Sequence, residues 1–353
     1  MTQKIPALVL GGTGYVAGEV IRLILGHPNF QLTGVMSDSQ PGEQVGKSFP
    51  HLAAVLGGLT FKSQAEIENL LATLPGCAVF SAAPHGVSAQ LIDKLLTAAA
   101  AAGTKPRFVD ISADYRFRDA DAYAAVYKHA HGAPKRLADF TCAVPEHLDR
   151  VSTPHVAHPG CFATTTLLAV VPLLAMKLVE PTLFVSGVTG STGSGRKPVE
   201  GTHHPTRHSD LYSYSALAHR HAPEIRACAK AVTGFDADIA FVPHSGPFAR
   251  GIHATVQARL VQPLDSAAII GKLREFYAGK PFVRVLDSAP RMKDIVASNY
   301  AHLSAASSGR TVAVMSVADN LNKGAAGGAM QWMNRLFNLP ETAGLTAPAA
   351  GWT

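Results

Sequence analysis

The sequence predicts an α/β protein of two domains, a doubly wound parallel sheet followed by an α+β domain. Three observations carry this. The chain has 353 residues, room for two domains at about 150 residues each. Short apolar runs alternate with amphipathic stretches through the first half, as strands joined by crossover helices do. After about residue 155 the texture turns strand-rich, with few helical stretches between.

Taken in order, residues 5–10 read as a buried strand, and 19–25 continue a helix behind it. Residues 32–36 and 79–82 read as the next two strands, with a helix at 64–74 between them. The Ala/Leu-rich stretch 88–102 is a further helix and leads into a strand at 107–111. A long helix is expected over 162–177. Residues 183–188, 238–242, 251–260 and 311–318 read as strands, with a polar Gly/His segment at 189–222. Residues 325–336 have helical periodicity, and the tail from Pro340 is loop-like.

Composition excludes several classes of function. Apolar residues make up 47% and charged residues 16%, so the chain buries a sizeable core and is not disordered. The net charge of +6 is spread along the chain without a Lys/Arg run, which argues against nucleic acid and suits small anionic substrates. Four cysteines are too few for a disulfide framework at this length. The longest strongly apolar stretch is ten residues and contains Pro172, so it does not span a bilayer. The expectation is a cytoplasmic protein of a reducing compartment, without membrane association or a secretory leader.

Gly11-Gly12-Thr13-Gly14-Tyr15-Val16 follows the first strand and opens the first helix. Glycines there let the backbone turn tightly and approach a pyrophosphate, whose charge sits on the helix N-terminal N–H groups. This marks residues 5–111 as part of a Rossmann-like dinucleotide-binding domain. The second strand ends at Ser37-Asp38-Ser39, where a cofactor ribose is read: the acid favours NAD, the hydroxyls a 2′-phosphate. Gly42-Glu43-Gln44-Val45-Gly46-Lys47-Ser48 is not a P-loop, because only three residues separate its glycines where four are needed.

His158-Pro159-Gly160-Cys161 is the most informative stretch. Cys161 stands after a Pro-Gly turn and immediately before a long helix, where dipole and backbone donors stabilise a thiolate. Cys77, Cys142 and Cys228 read instead as small buried apolar residues. A nucleophilic thiol needs a proton partner, and His219-Arg220-His221 supplies two imidazoles before a helix start. Five histidines fall within 19 residues here, yet the Gly/Pro-rich loop and the lack of His-Glu-x-x-His or Cys-x-x-Cys argue against a metal. Arg196 in the glycine loop, and Arg116 after Asp110-Ile111-Ser112-Ala113-Asp114, are candidates to grip an anionic substrate.

These segments together resemble the N-acetyl-gamma-glutamyl-phosphate reductase family, of the aspartate-semialdehyde-dehydrogenase-like superfamily. Further points of match are Gly46-Lys47 with His51-Leu52, Pro84-His85-Gly86-Val87-Ser88, Ala143-Val144-Pro145-Glu146, Arg250-Gly251-Ile252 and Asp319-Asn320-Leu321 with Lys323-Gly324-Ala325-Ala326-Gly327. The resemblance implies reduction of an acyl phosphate by NADP(H) through a Cys161 thioester, with release of inorganic phosphate and formation of a semialdehyde, in arginine biosynthesis. It implies His219 or His221 as acid and base, with His221 preferred. Gly11, Thr13, Gly14, Tyr15, Val16, Ser37, Ser39, Pro84 and Asn320 then contact the cofactor. Ser112, Arg116, Arg196 and His219 contact the substrate. The C-terminal helix is expected to return to the nucleotide domain, giving residues 1–157 with 322–353 as the dinucleotide-binding domain and 158–321 as the catalytic and dimerisation domain. A homo-oligomer, dimer or tetramer, is expected.

Two departures bear on the substrate. Phe162-Ala163-Thr164 stands where the family has Tyr-Pro-Thr, and the glycine loop 187–196 runs into a His-rich stretch at 200–207. That loop looks like the branch shared with the lysine-pathway reductase, so an N-acyl-aminoadipyl phosphate, or another N-acylglutamyl phosphate, is the alternative substrate. Aspartate-semialdehyde dehydrogenase itself fits less well, since it carries Asn where this chain has Gly160. A redox sensor built on Cys161 would need neither the His-x-His pair nor the arginines.

Overall fold

A computed structural model describes residues 4–351. Its chain begins with β1 (Ile5–Leu10), α1 (Tyr15–Leu25), β2 (Phe30–Val35), the single turns α2 (Val45–Ser48) and α3 (Ala53–Leu56), and α4 (Gln64–Thr73). There follow β3 (Ala78–Ser81), α5 (Ser88–Ala101), β4 (Arg107–Asp110), α6 (Ala120–Tyr127), β5 (Phe140–Cys142) and β6 (His155–Ala157). The strand-rich part holds α7 (Cys161–Ala175), β7 (Val179–Thr189), α8 (His204–Arg207), β8 (Tyr212–Ser213), α9 (His221–Thr233) and β9 (Asp238–Ser245). It continues with β10 (Ile252–Leu260), α10 (Ser266–Phe276), β11 (Val283–Val285), β12 (Ala301–Ser308) and β13 (Thr311–Ala318). A π-helical turn, Asn322–Ala326, then leads into α11 (Gly327–Leu336).

The chain divides into two compact units, Met1–Cys142 with Arg150–His158 and Ala326–Thr346, and Ala143–Asp149 with Pro159–Ala325 and Ala347–Thr353. Residues 143–149, 322–325 and 347–351 group with the second unit, where the sequence placed them in the first, and His158 groups with the first. The reason is local: Glu146 holds Lys323 at 2.6 Å and Asp149 holds Lys280 at 2.7 Å. The expected outer limits, residues 1–3 and 352–353, lie outside the described residues.

The first unit is a six-stranded, wholly parallel sheet in the order β2-β1-β3-β4-β6-β5. Its central strand β3 is buried at every residue, which explains why it reads as an unbroken apolar run. α4 starts on a capping box in which Ser63 and Glu66 satisfy each other's backbone N–H. α11 belongs to this unit, with Trp332 fully buried. The buried His27 ties it down: Nε2 stands 3.1 Å from Asn334 Oδ1 and 3.0 Å from Ala343 O, while Nδ1 accepts from Asn29 and Phe30 N–H. Burial lowers the His27 pKa, in keeping with an imidazole that accepts on one side and donates on the other.

The second unit is a seven-stranded mixed sheet, β11-β12-β13-β10-β7-β9-β8. α7, α9 and α10 pack on the face formed by alternate residues such as Leu183, Val185, Ile252, Ala254 and Val256. On β7 the intervening Phe184 is 58% exposed, so the opposite face has no helix over it there. α7 is buried on all sides from Phe162 to Leu174 despite containing Pro172. Proline has no N–H for the carbonyl four residues back. That carbonyl, Leu168 O, is taken by Tyr277 Oη at 2.6 Å, and His147 Nε2 in turn meets the phenol oxygen at 3.0 Å. Among the described residues no helix is long and apolar enough to cross a membrane.

Candidate active site

In the first unit the candidate cofactor residues gather at one edge of the sheet. Gly11, Thr13, Gly14, Tyr15 and Val16 follow β1, Ser37 and Ser39 follow β2, and Pro84 follows β3. All are at the carboxyl ends of parallel strands, where ligands of such sheets bind, and β1 and β3 flank the point at which strand order reverses. Gly11 has φ +70°, and a Cβ there would come within 2.6 Å of the Ala82–Ala83 backbone, so only glycine closes this turn. Gly14 caps α1 without a side chain, a Cβ on it would meet nothing within 4 Å, and the first turn carries no acid. Room and free polarity are thus what a pyrophosphate requires. Ser37 is buried with its hydroxyl 3.4 Å from that of Ser39, while Asp38 is exposed.

Ser112 and Arg116 follow β4 in a buried network. Asp110 accepts from Ser112 Oγ at 2.6 Å and from Ser88 Oγ at 2.8 Å, and burial pushes its pKa up to about 6. Arg116 is 6% exposed and gives Nε to His158 O and Nη2 to Ile111 O, bracing the chain that leaves β4 to the chain that leaves β6. The sequence has this arginine gripping substrate; the geometry commits two of its donors to backbone.

In the second unit Cys161 is the first residue of α7, with Gly160 as an N-cap that offers no side-chain acceptor to the first-turn N–H groups. The Gly160 N–H donates to Glu224 Oε1 at 2.6 Å. The other oxygen of this fully buried carboxylate lies 4.0 Å from His221 Nε2, within ion-pair range. Glu224 therefore fixes the turn before the thiol and faces the imidazole at the start of α9. His219 plays a different part. Its Nδ1 accepts the His221 N–H at 3.2 Å, so the neutral ring carries its proton on Nε2. Its ring packs on Phe162, Tyr214 and Phe241, and burial, helped by Arg220, lowers its pKa to about 4. Tyr214 is pushed up to about 12, first by burial and then by the Cys161 charge, which puts a neutral phenol near the thiol.

The turn after β13 closes the other side. Asp319 is fully buried and accepts a bidentate grip from Arg250, at 2.9 and 3.0 Å, together with the N–H groups of Ala297, Leu321 and Asn322. Asn320 Oδ1 accepts from Gly251 N–H at 2.8 Å and Nδ2 donates to Thr192 Oγ1 at 3.0 Å. Gly324 lies so close that a Cβ on it would stand 2.8 Å from Cys161 Cβ. The structure thus brings Cys161, His219, His221 and the Asn320 turn together, and leaves Arg196 exposed on the glycine loop. Sequence reading missed Glu224, Tyr214, Asp319 and Arg250 as parts of the site. Only the Pro223-Glu224 helix start and the Arg250 and Asp319 motifs hinted at them. Among the described residues no group of three or more His, Cys, Asp or Glu is arranged to hold a metal.

Comparison with known proteins supplies the context. The family model for the semialdehyde dehydrogenase NAD binding domain matches residues 6–154, and that for the semialdehyde dehydrogenase dimerisation domain matches 161–320. An N-acetyl-gamma-glutamyl-phosphate reductase of Acidithiobacillus ferrooxidans is 39% identical over 348 residues, covering 97% of this chain and 98% of its own. One from Rhodopirellula baltica is 34% identical over 352 residues, covering 98% and 99%. Among solved structures, aspartate semialdehyde dehydrogenase II of Vibrio cholerae superposes with a TM-score of 0.69 at 13% identity, covering 96% of this chain and 99% of the other. The Candida albicans enzyme, solved with NADP, gives 0.65 at 15%, covering 95% and 99%. At such identities the structural likeness speaks for the fold.

Proposed function

The chain belongs to the N-acetyl-gamma-glutamyl-phosphate reductases, oxidoreductases of the semialdehyde dehydrogenase family, and on that premise we propose that it reduces N-acetyl-gamma-glutamyl phosphate to the semialdehyde with NADPH, in arginine biosynthesis. The observation that carries the mechanism is the single carboxylate of Glu224 holding the Gly160 turn with one oxygen and facing His221 with the other.

Cys161 attacks the acyl carbon, the S–H proton passes to His221, and the C–O bond to phosphate breaks, leaving a thioester and inorganic phosphate. The glycine turn and Ser37 and Ser39 hold the nucleotide. When bound, a reduced nicotinamide supplies the hydride. The thioester carbonyl, now a thiohemiacetal oxygen, takes the proton held on His221; as that proton returns, C=O re-forms, the C–S bond breaks and Cys161 is free again. The Glu224 carboxylate stabilises the imidazolium in between. His219, held neutral with its proton on Nε2, suits donation to the substrate carbonyl oxygen. Each end of the Asn320 amide keeps capacity for a second hydrogen bond, which suits it to a carboxamide. Arg196 is assigned to the anionic end of the substrate.

The dimerisation-domain match supports an oligomer, and the helix-free face of β7 bearing Phe184 is its proposed contact, in a dimer or tetramer. The His-rich stretch at 200–207 keeps the aminoadipyl homologue as the second reading. The test is the reverse reaction, semialdehyde plus phosphate plus NADP, run on acetylglutamate and acetylaminoadipate semialdehydes with wild type and Cys161→Ser. Turnover of the first by wild type and its loss in the variant are expected. A tenth of wild-type activity remaining in Cys161→Ser overturns the thioester, and preference for the longer semialdehyde overturns the substrate.

A further inference from the structure

The second unit contains a cavity of about 280 Å³, lined by Ser191, Thr202, His204, Arg207, His208 and Phe248 among others, that the proposed mechanism does not use. Arg207 is its unusual member. It is only 7% exposed, yet its Nε and Nη2 have no hydrogen-bond partner, and no carboxylate pairs with it among the described residues. A buried, unpaired guanidinium is costly and calls for a counter-ion. The side chain is also held in place: Nη1 donates to Asp210 O at 3.1 Å and to Ser245 O at 3.4 Å. What remains is the Nε/Nη2 edge, the fork that matches an oxyanion with two parallel bonds. The same edge of Arg250 shows its preference in this protein, gripping Asp319 through Nε and Nη2.

We propose that this cavity is an oxyanion subsite, in which Arg207 takes a carboxylate or phosphate group on its Nε/Nη2 edge, with the His204, His208, Ser191 and Thr202 side chains as further polar lining. Its position relates it to the thiol. Ser191 precedes Thr192, which is bonded to Asn320, and the Asn320 turn carries Gly324 against Cys161. The substrate carboxylate and the released phosphate of the proposed reaction share the required chemistry. Which of them the subsite takes rests on that reading; the existence of the subsite does not.

The experiment is titration calorimetry of inorganic phosphate and of N-acetylglutamate, separately, into wild type, Arg207→Gln and Arg207→Lys. Wild type should bind one of the two, and Arg207→Gln should bind it at least tenfold more weakly. Arg207→Lys keeps the charge and a donor for the two carbonyls but loses the fork, so an intermediate weakening at an unchanged thermal midpoint assigns the effect to the fork and not to misfolding. Weakening for phosphate alone identifies phosphate as the occupant, and for N-acetylglutamate alone a carboxylate. Equal affinities in wild type and both variants, or no binding by wild type, overturn the subsite. A wild type that binds through Arg207 but turns over neither semialdehyde overturns the proposed function and leaves the subsite standing.

Discussion

Glu224 and Gly160 stand 64 residues apart in sequence and meet at 2.6 Å, the carboxylate accepting the backbone N–H immediately before Cys161. The contact joins the start of α9 to the start of α7, so one side chain both holds the turn before Cys161 and faces His221.

Glu224→Gln keeps an acceptor for Gly160 N–H but removes the charge facing His221. Its turnover should fall, by less than the roughly 10²–10⁴-fold expected for removing the acid/base itself. The acidic limb of the pH–rate profile should move to lower pH, because an imidazolium without its carboxylate loses its proton more readily. Glu224→Ala also strands the buried N–H and should lose about 1–3 kcal/mol of stability besides. Rates and profiles of Glu224→Gln indistinguishable from wild type would remove Glu224 from the mechanism.

Gly324→Ala places a methyl 2.8 Å from Cys161 Cβ and 3.3 Å from Asp319 O, where neither neighbour is a flexible chain end. Overpacking of this kind costs about 1–3 kcal/mol. Displacing a reacting group by 1 Å costs on the order of 100-fold in rate. Turnover should drop at least tenfold with a lower thermal midpoint. A rate within threefold of wild type shows that the thiol tolerates the shift.

At the end of β2 Ser37 is buried while Asp38 and Ser39 are exposed, so the Ser37 hydroxyl, 3.4 Å from that of Ser39, and not the acid is turned inward. NADPH should therefore exceed NADH in kcat/KM. Alanine at both Ser37 and Ser39 should narrow the gap, chiefly by weakening NADPH. Equal or better use of NADH by wild type means that an acid reads the ribose.

Much of this was legible in the sequence, for physical reasons. Parallel strands buried on both faces are largely apolar, which exposes β1 and β3 at a glance. Cys161 was legible because a Pro-Gly turn ahead of a long, mostly apolar helix leaves few alternatives to a helix N-terminus. β12 was not, since Ala-His-Leu-Ser-Ala-Ala-Ser-Ser holds one large apolar residue and takes its shape from pairing with β13. Nor was β5 or β6, each three residues long and stabilised only by neighbours. Glu224 with Gly160, and Arg250 with Asp319, are pairs whose partners lie more than sixty residues apart. No local pattern announces a partner at that range.

His155 bears on acid stability. Its Nδ1 accepts Phe108 N–H at 3.2 Å, and burial lowers its pKa to about 3. The unfolded chain binds that proton at about pH 6.5. The contribution is therefore complete above that pH and is lost as pH falls from there toward 3, at roughly 1.4 kcal/mol per pH unit. His155→Gln should be less stable than wild type at pH 7, with a shallower decline of the denaturant midpoint between pH 7 and 5. Parallel declines would show that His155 takes up its proton without unfolding.

The first unit is finished only by Ala326–Thr346, after roughly 170 residues of the second unit have intervened. On the ribosome, at about 5–20 residues per second, that interval lasts on the order of ten to thirty seconds. Throughout it, β4 and α1 have emerged without α11, which packs against both. The nascent first unit waits with its apolar surface open while the second is still being made. A chain cut short after β13 would leave that wait permanent, so surveillance of truncated products by chaperones and proteases has an exposed sheet to recognise.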